Sequence, residues 1–527
     1  MSIVYLIGAG PGDPGLITVR GLQCLMTADV VLHDHLVNPR LLRHARPDAE
    51  KIDVGFAAPQ PFEQEAICYL LAEKAREGKV VARLKWGDPF VFDSGGTEGL
   101  FLHENGVRFE VVPGVPVCVA APAYAGVPIT YSGGGDTITL IRGYEDQGKA
   151  ERDVDVDWAN MARIDGTLVC YAGPQQLPKI IGQLLSHGRP ADESAAVVYD
   201  GTLPTQETLA GTLIEIGEKL KRSTDRRAGV LIVGRTVALR DHLRWFDERP
   251  LFGKRVLVTR PRDQSAELVE RLEAMGAEAI EAPMIRIEPP DDYDALDDAC
   301  GRADTFDWIV FSSTNAVDAF ISRLLISPFD LRALGNAKLC GVGSATAERL
   351  LEHGLKIDVM PSEYRAEALI HALALTGDLA GKKILLPHAD IGREIIGDEL
   401  RKQGAQVVEV VAYRTVATDP EREGQPDVYR MLLERRIDIV TFTSPSAVRN
   451  MVSVLGAEPA VDLLGKTIVA AIGPVTAEAA TRCGIETSVI PDKFTVPALV
   501  DAIVRYVGAH PALDESQSAR PEPRAIL

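Results

Sequence analysis

An α/β architecture of several domains is the organisation that this chain predicts. Runs rich in Val, Ile and Leu alternate with helix-like runs along its length. Its 527 residues exceed what one hydrophobic core organises, and residues 254–500 contain an internal repeat. The composition is globular, 46% hydrophobic and 25% charged. No apolar run reaches the roughly 18 residues a membrane span needs, so no membrane partner is expected. The N-terminus Met1-Ser-Ile-Val-Tyr5 enters a strand at once, without a basic or signal-like region, and a cytoplasmic setting is expected.

Charge and cysteines exclude further classes. Residues 1–248 carry 25 basic against 33 acidic side chains, and the remainder 31 against 42. Both halves are acidic, which argues against nucleic acid. An anionic ligand would need a locally basic or hydrogen-bonding cleft. The seven cysteines lie singly at 24, 68, 118, 170, 300, 340 and 483, with no CxxC pair. That pattern predicts buried small hydrophobes, with neither a disulfide framework nor a metal site.

Taken in order, Ile3-Val-Tyr-Leu-Ile7 predicts a strand, followed by Gly8-Ala-Gly-Pro-Gly-Asp-Pro-Gly15. This turn is no dinucleotide fingerprint. Asp13 stands where the third glycine belongs, and Pro11 and Pro14 forbid the immediate helix that would receive a pyrophosphate. It predicts a rigid backbone wall able to approach a flat ligand. Ala28-Asp-Val-Val-Leu-His-Asp34 reads as a strand ending in a carboxylate. Val80-Val-Ala-Arg-Leu-Lys-Trp86 ends in a second Gly-Asp-Pro turn at 87–89, and Val111-Val-Pro-Gly114 ends a third strand. Three strands closed by Gly, Asp and Pro place a ligand at one sheet edge.

Arg249-Pro-Leu-Phe-Gly253 marks a domain boundary, which predicts domains at 1–248 and 249–508. Residues 509–527 are rich in Pro, Ser, Ala and charge and predict a disordered tail. The repeat lies between. Lys254-Arg-Val-Leu257 returns as Lys382-Lys-Ile-Leu385, and Gly276-Ala-Glu278 as Gly404-Ala-Gln406. Asp307-Trp-Ile-Val-Phe-Ser-Ser-Thr-Asn-Ala-Val317 returns as Asp438-Ile-Val-Thr-Phe-Thr-Ser-Pro-Ser-Ala-Val448, and Val342-Gly-Ser-Ala-Thr-Ala-Glu348 as Ile472-Gly-Pro-Val-Thr-Ala-Glu478. Two similar α/β lobes follow, with hydroxyl-bearing loops after apolar strands. Singly, such Ser and Thr residues are ordinary helix caps. Recurring in both lobes, they predict a shared cleft lined by Ser313, Thr314, Ser344, Thr346, Thr443, Ser444, Ser446 and Thr476.

Residues 253–508 resemble uroporphyrinogen-III synthase. The resemblance rests on Val258-Thr-Arg-Pro261, both Phe-[ST]-Ser blocks, both Gly-x-x-Thr-Ala blocks and Val411-Ala-Tyr-Arg-Thr415. It implies two lobes joined by a two-stranded link, 253–286 with 416–508 and 288–412. It also implies cyclisation of hydroxymethylbilane to uroporphyrinogen III, with ring D inverted. Tyr413 aligns with the tyrosine of the family cleft, against the simpler reading of a strand-end tyrosine. Arg260 and the hydroxyl residues become substrate contacts. Asn315 stands where some members carry Arg.

Residues 3–246 resemble uroporphyrinogen-III C-methyltransferase of the tetrapyrrole methylase family. The blocks are Gly8–Gly15, Leu84–Phe92, Glu110–Gly114, Ala121–Pro128, Gly201-Thr202 with Gln206, and Val233–Phe246. The expected whole is thus a two-subdomain methylase module followed by a two-lobed synthase module. The resemblance implies S-adenosylmethionine held by Pro11, Gly87, Asp88, Val91, Gly201 and Gly229, Asp34 as proton acceptor, and a homodimer through this module. The chain departs from the family at Phe56 and Ala57, Trp86, Asp93 and Ser94, Pro116, Tyr131 and Ser132, Tyr144 and Ala172, and five of the changes remove Lys, Arg or His. Three readings of the module therefore stay open: an active methyltransferase with rewired contacts, one with a less anionic substrate, and a retained scaffold. For the whole chain, a tetrapyrrole-binding sensor without turnover is the alternative from another class.

Overall fold

The computed structural model describes residues 2–55, 62–132, 136–143, 156–225, 227–335, 337–361, 366–390, 395–417 and 426–510. The predicted tail from 511 onward, and Phe56, Ala57 and Tyr144, lie outside them. The chain divides into two compact units, chiefly Met1–Lys254 and chiefly Arg255–Leu272 with Ala279–Ala509.

The first unit holds two sheets. β1 (Ile3–Gly8), β2 (Val30–His33), β3 (Glu50–Asp53), β4 (Val80–Lys85) and β5 (Phe109–Val112) form a parallel sheet in the order β3-β2-β4-β1-β5. The inner strands β1 and β2 are largely apolar on both faces because helices cover both, while β4 also carries Arg83 and Lys85 and the edge strand β3 is polar. Successive residues point opposite ways. Ile7, Val31, Ala82 and Leu84 pack with Leu25 and Leu41 on one face, and Val4, Leu6, Val30, Leu32 and Val81 pack with Leu71 and Leu102 on the other.

The second sheet joins β6 (Ile138–Arg142), β7 (Thr167–Ala172), β8 (Ser194–Tyr199), β9 (Glu207–Thr212) and β10 (Gly229–Val233) in the order β6-β7-β10-β8-β9. Only β6 and β7 run parallel. Its inner face packs against the helices Gln176–Ser186 and Leu213–Arg222. The second of these starts on a capping box made by Thr212 and Glu215.

The second unit makes the repeat visible. Its strands are β11 (Arg255–Val258), β12 (Glu278–Glu281), β13 (Ile285–Glu288), β14 (Trp308–Phe311), β15 (Lys338–Gly341), β16 (Lys383–Ala389), β17 (Gln406–Ala417), β18 (Ile439–Phe442) and β19 (Ile468–Ala471). One sheet runs β12-β11-β18-β19 and the other β13-β17-β16-β14-β15. Without β13, the two orders match strand for strand through the repeated blocks. Small details repeat as well. The Asp438 carboxylate accepts from the Arg255 N–H at 2.7 Å, and the Asp307 carboxylate from the Lys383 N–H at 2.9 Å.

The first sheet draws strands from both ends of the unit, whereas the second is continuous in sequence. β13 and the end of β17 pair antiparallel, Ile285 with Ala417 through Glu288 with Arg414. These are the two segments where the chain passes between the sheets.

Phe320, fully buried on the helix Thr314–Ile326, meets Phe311 edge-on with ring centroids 5.7 Å apart. Phe320→Ala is expected to cost about 3–5 kcal/mol. Urea denaturation followed by circular dichroism reads this as an earlier transition of the second unit, with that of the first unchanged.

Candidate active sites

The first site is assembled from loops that leave β1, β4 and β5 at one sheet edge. Gly10 and Gly87 exchange backbone hydrogen bonds, Gly87 N–H to Gly10 O at 2.9 Å and Gly10 N–H to Gly87 O at 3.2 Å. Both adopt left-handed backbone, φ +77° and +71°, which favours glycine. The loops nest too closely for side chains, since a Cβ on Gly114 would stand 2.2 Å from Gly87 O. Asp88 fastens the nest by accepting from Phe90 N–H at 2.8 Å and Gly114 N–H at 2.9 Å.

The second sheet is tied to the same loops. Asp13 N–H donates to Thr202 Oγ1 at 3.1 Å, and Tyr124 donates its hydroxyl to Asp13 at 2.7 Å. Pro11, Gly87, Asp88 and Gly201 are thereby brought together. Val91 packs against the apolar cluster that includes Ala121, and Gly229 opens β10 opposite Ala172 and Tyr199.

S-adenosylmethionine fits this set of groups. A Cβ built on Gly87 would find no heavy atom nearer than 3.7 Å, so the backbone cradle is open there. Peptide groups and aliphatic walls suit a cofactor with an adenosine, a carboxylate and a sulfonium.

Asp34 sits just past β2 and is held in an ion pair with Arg83, which is fully buried on β4. Its other oxygen accepts from Trp86 N–H at 3.0 Å. Burial favours the neutral acid, but Arg83, Lys85 and the Trp86 N–H together outweigh it, so the carboxyl titrates below its ordinary range.

Behind Asp34 lies a cluster that the sequence reading missed. Glu98 is fully buried and accepts from Lys85 at 3.0 Å and from Arg83 at 3.3 Å, while its second oxygen has no partner. Asp93 approaches Lys85 at 3.0 Å, and burial raises its pKa. The available signal was Arg83 and Lys85 two positions apart on an otherwise apolar strand, hence on one face. His35, the neighbour of Asp34, pairs with Asp53 at 2.9 Å and was also missed.

Trp86, one of the departures from the family, is held on two sides. Its indole N–H donates to Pro11 O at 2.9 Å, and its ring lies 5.4 Å from that of Tyr171. Of the other departures, Pro116 caps the helix Val117–Tyr124 without a side-chain bond, and Tyr131 is exposed.

In the second unit the predicted residues again follow the carboxyl ends of parallel strands. Ser313 and Ser444 occupy equivalent N-caps after β14 and β18, each accepting a backbone N–H at 3.2 Å, from Ala316 and Ala447. The cap reading thus describes both, and both remain half-buried at the sheet edges. Ser446 lies 3.0 Å from Ser444, and Thr443 and Arg260 are half-buried nearby in the chain order of this sheet. Thr346 and Thr476 occupy equivalent first helical turns and are buried, 5% and 4% exposed, which limits what their hydroxyls can reach. The side chain of Ser344 lies outside the described set.

Tyr413 is buried within β17, and its hydroxyl meets Ser313 Oγ at 3.0 Å. Burial raises its pKa, against the opposing effect of hydrogen bonds from Ser313 and Asn315. Gln264, on the helix after β11, hydrogen-bonds Asn315, on the helix after β14. The carboxyl edges of the two sheets therefore meet at this point.

A wall of nested backbone loops at a parallel sheet edge and a pair of matched lobes define a two-module α/β protein. Residues 3–217 match the family model of tetrapyrrole (corrin/porphyrin) methylases, and residues 266–501 that of uroporphyrinogen-III synthase HemD. The chain is 35% identical over 511 residues to "Porphyrin biosynthesis protein HemD" of Ruminiclostridium josui, covering 97% of this chain and 99% of that protein. It is 36% identical over 357 residues to "Uroporphyrinogen-III C-methyltransferase" of Bacillus subtilis, covering 68% of this chain and 72% of the relative. It is 41% identical over 240 residues to the protein of that name from Methanocaldococcus jannaschii, covering 45% of this chain and 98% of the relative. The chain belongs to the family of fused tetrapyrrole-biosynthesis enzymes, with an S-adenosylmethionine-dependent methylase preceding a uroporphyrinogen-III synthase.

The Asp34 ion pair predicts a pH signature. Its folded pKa lies below the unfolded value of about 3.9. The pair therefore stabilises fully above that value, and the contribution fades as pH falls through the folded pKa. Asp34→Asn is expected to cost about 3 kcal/mol at pH 7, because Arg83 loses a buried partner. The cost should shrink as pH falls below the unfolded value and through the lowered folded pKa, where the wild-type carboxyl itself becomes neutral. Urea midpoints of the first unit at several pH values check this.

Proposed function

We propose that the second unit closes hydroxymethylbilane into uroporphyrinogen III with inversion of ring D. We further propose that the first unit methylates that product with S-adenosylmethionine to precorrin-2, toward sirohaem or cobalamin. The observation that carries the first assignment is the meeting of Tyr413, Ser313 and Asn315 with Gln264 where the two matched sheet edges approach.

Cyclisation needs a departing hydroxyl and a held chain more than a strong nucleophile. Burial keeps the Tyr413 phenol protonated, which suits it to protonate the leaving hydroxyl, with Ser313 fixing its orientation. The acetate and propionate arms need hydrogen-bond donors, charged or neutral. Arg260, Thr443, Ser444 and Ser446, with the N–H groups at the helix starts after β14, β15, β18 and β19, supply them. Ser344, Thr346 and Thr476 belong to the same helix starts. Clamping both ends favours the inverted closure over spontaneous cyclisation.

In the first unit, Pro11, Gly87, Asp88, Val91, Gly201 and Gly229 would hold the cofactor, which supplies an electrophilic methyl when bound. Attack by a pyrrole carbon leaves positive charge on the ring. Asp34, already ionised, stabilises that charge and then accepts the ring proton. Its lowered pKa favours the electrostatic role. A cytoplasmic setting and a homodimer through this unit complete the proposal, the latter measurable by light scattering.

Purified protein given hydroxymethylbilane is expected to yield isomer III, and addition of S-adenosylmethionine to add one and then two methyl groups by mass spectrometry. Isomer I alone would refute the synthase assignment, and unmodified isomer III the methylase assignment. Tyr413→Phe should lower the rate of isomer III formation about 100-fold, as loss of a general acid does, with methylation of supplied uroporphyrinogen III intact.

A further inference from the structure

Three carboxylates stand at the edge of the first site, and each is already engaged. Both oxygens of Asp88 accept backbone N–H groups. Asp34 is divided between Arg83 and Trp86 N–H. Asp13 accepts from Gly15 N–H at 2.7 Å and from the Tyr124 hydroxyl. Every oxygen of these three already accepts a hydrogen bond or an ion pair that fixes its direction.

The same site holds two aromatic rings. Trp86 and Tyr171 are half-buried, with ring centroids 5.4 Å apart and planes tilted by 43°. Four of the positions expected to touch cofactor lie close to this pair in the chain or in the packing. Pro11 O accepts the indole N–H, and Gly87 follows Trp86 in the chain. Val91 packs in the same apolar cluster as Tyr171, and Gly229 pairs with Ala172, the next residue along β7. The hydrogen bond to Pro11 fixes the indole, so its face is presented at little further entropic cost.

We propose that Trp86 and Tyr171 form an aromatic wall that recognises the sulfonium charge of S-adenosylmethionine. The ring quadrupoles attract a cation over their faces, most strongly for Trp and where water is excluded. The wall holds the methyl donor more tightly than the neutral thioether product, so turnover itself weakens binding and aids product release. This inference rests on the methylase reading and names the group that senses cofactor charge within it.

The test is calorimetric titration of the full-length protein with S-adenosylmethionine and, separately, with S-adenosylhomocysteine. Trp86→Leu is expected to weaken binding of the charged donor about tenfold, the effect of a desolvated cation–π contact. It should change binding of the neutral product less than twofold, and Trp86→Phe should retain most of the preference. Equal losses for the two ligands in a Trp86→Leu variant whose thermal unfolding matches wild type overturn the wall. So does a Trp86→Phe variant that binds both ligands yet has lost the preference. Wild-type protein that binds neither ligand overturns the methylase reading and the wall together. Binding of both with the preference unchanged in every variant overturns the wall alone.

Discussion

Strands that run parallel release their chains at the same edge, and each loop that leaves that edge begins where backbone N–H and C=O groups run out of partners. Both units are built on this constraint. In the first, the loops after β1, β4 and β5 satisfy one another through Gly10, Gly87, Asp88 and Gly114, and their mutual closeness makes a wall of peptide groups. In the second, helices start after β14, β15, β18 and β19, and their caps and free N–H groups gather at two matching edges. An acidic protein can bind acidic molecules on these terms. Oriented N–H groups supply positive potential without the net charge that lysines would add.

At the first site full charges are gathered into one largely buried cluster. Arg83 and Lys85 sit inside the first sheet with Asp34, Asp93 and Glu98 around them. Two cations against three carboxylates leave a deficit of positive charge. The structure expresses it as a raised pKa at Asp93 and a lone Glu98 oxygen. Asp34 remains ionised because Arg83, Lys85 and the Trp86 N–H together outweigh its burial. A carboxylate pinned this way makes a steady electrostatic partner for a charge that forms during reaction.

What was legible in the sequence follows from what each signal encodes. The duplicated lobes were visible because β11, β14, β16 and β18 carry the repeated blocks, and equal spacing of apolar runs fixes equal sheet orders. The glycine and proline turns were visible because only particular backbones need them. Ser313 and Tyr413 were singled out separately, but their contact depends on β17 lying beside the first sheet strands of its lobe, a tertiary fact. The Arg83, Lys85 and Glu98 cluster escaped because a basic residue on a strand reads as solvent-facing, and its acidic partner lies 13 to 15 residues away on a helix. Trp86 was recognised as a departure, yet its direction was not. Nothing in the chain order indicates that the indole would turn toward Pro11 and Tyr171.

The two units divide the physical labour of catalysis differently. Ring closure of a flexible precursor has a fast uncatalysed competitor, so the useful contribution is geometric, and matched edges meeting at Gln264 and Asn315 suit a molecule whose two ends must be held at once. Methyl transfer has no such competitor, because the donor is stable in water until a carbon nucleophile is aligned with it. There the contribution is alignment together with a field that favours positive charge on the acceptor and releases it from the donor. The fixed Asp34 carboxylate favours the acceptor charge. The wall of Trp86 and Tyr171 responds to the donor's charge through its ring faces.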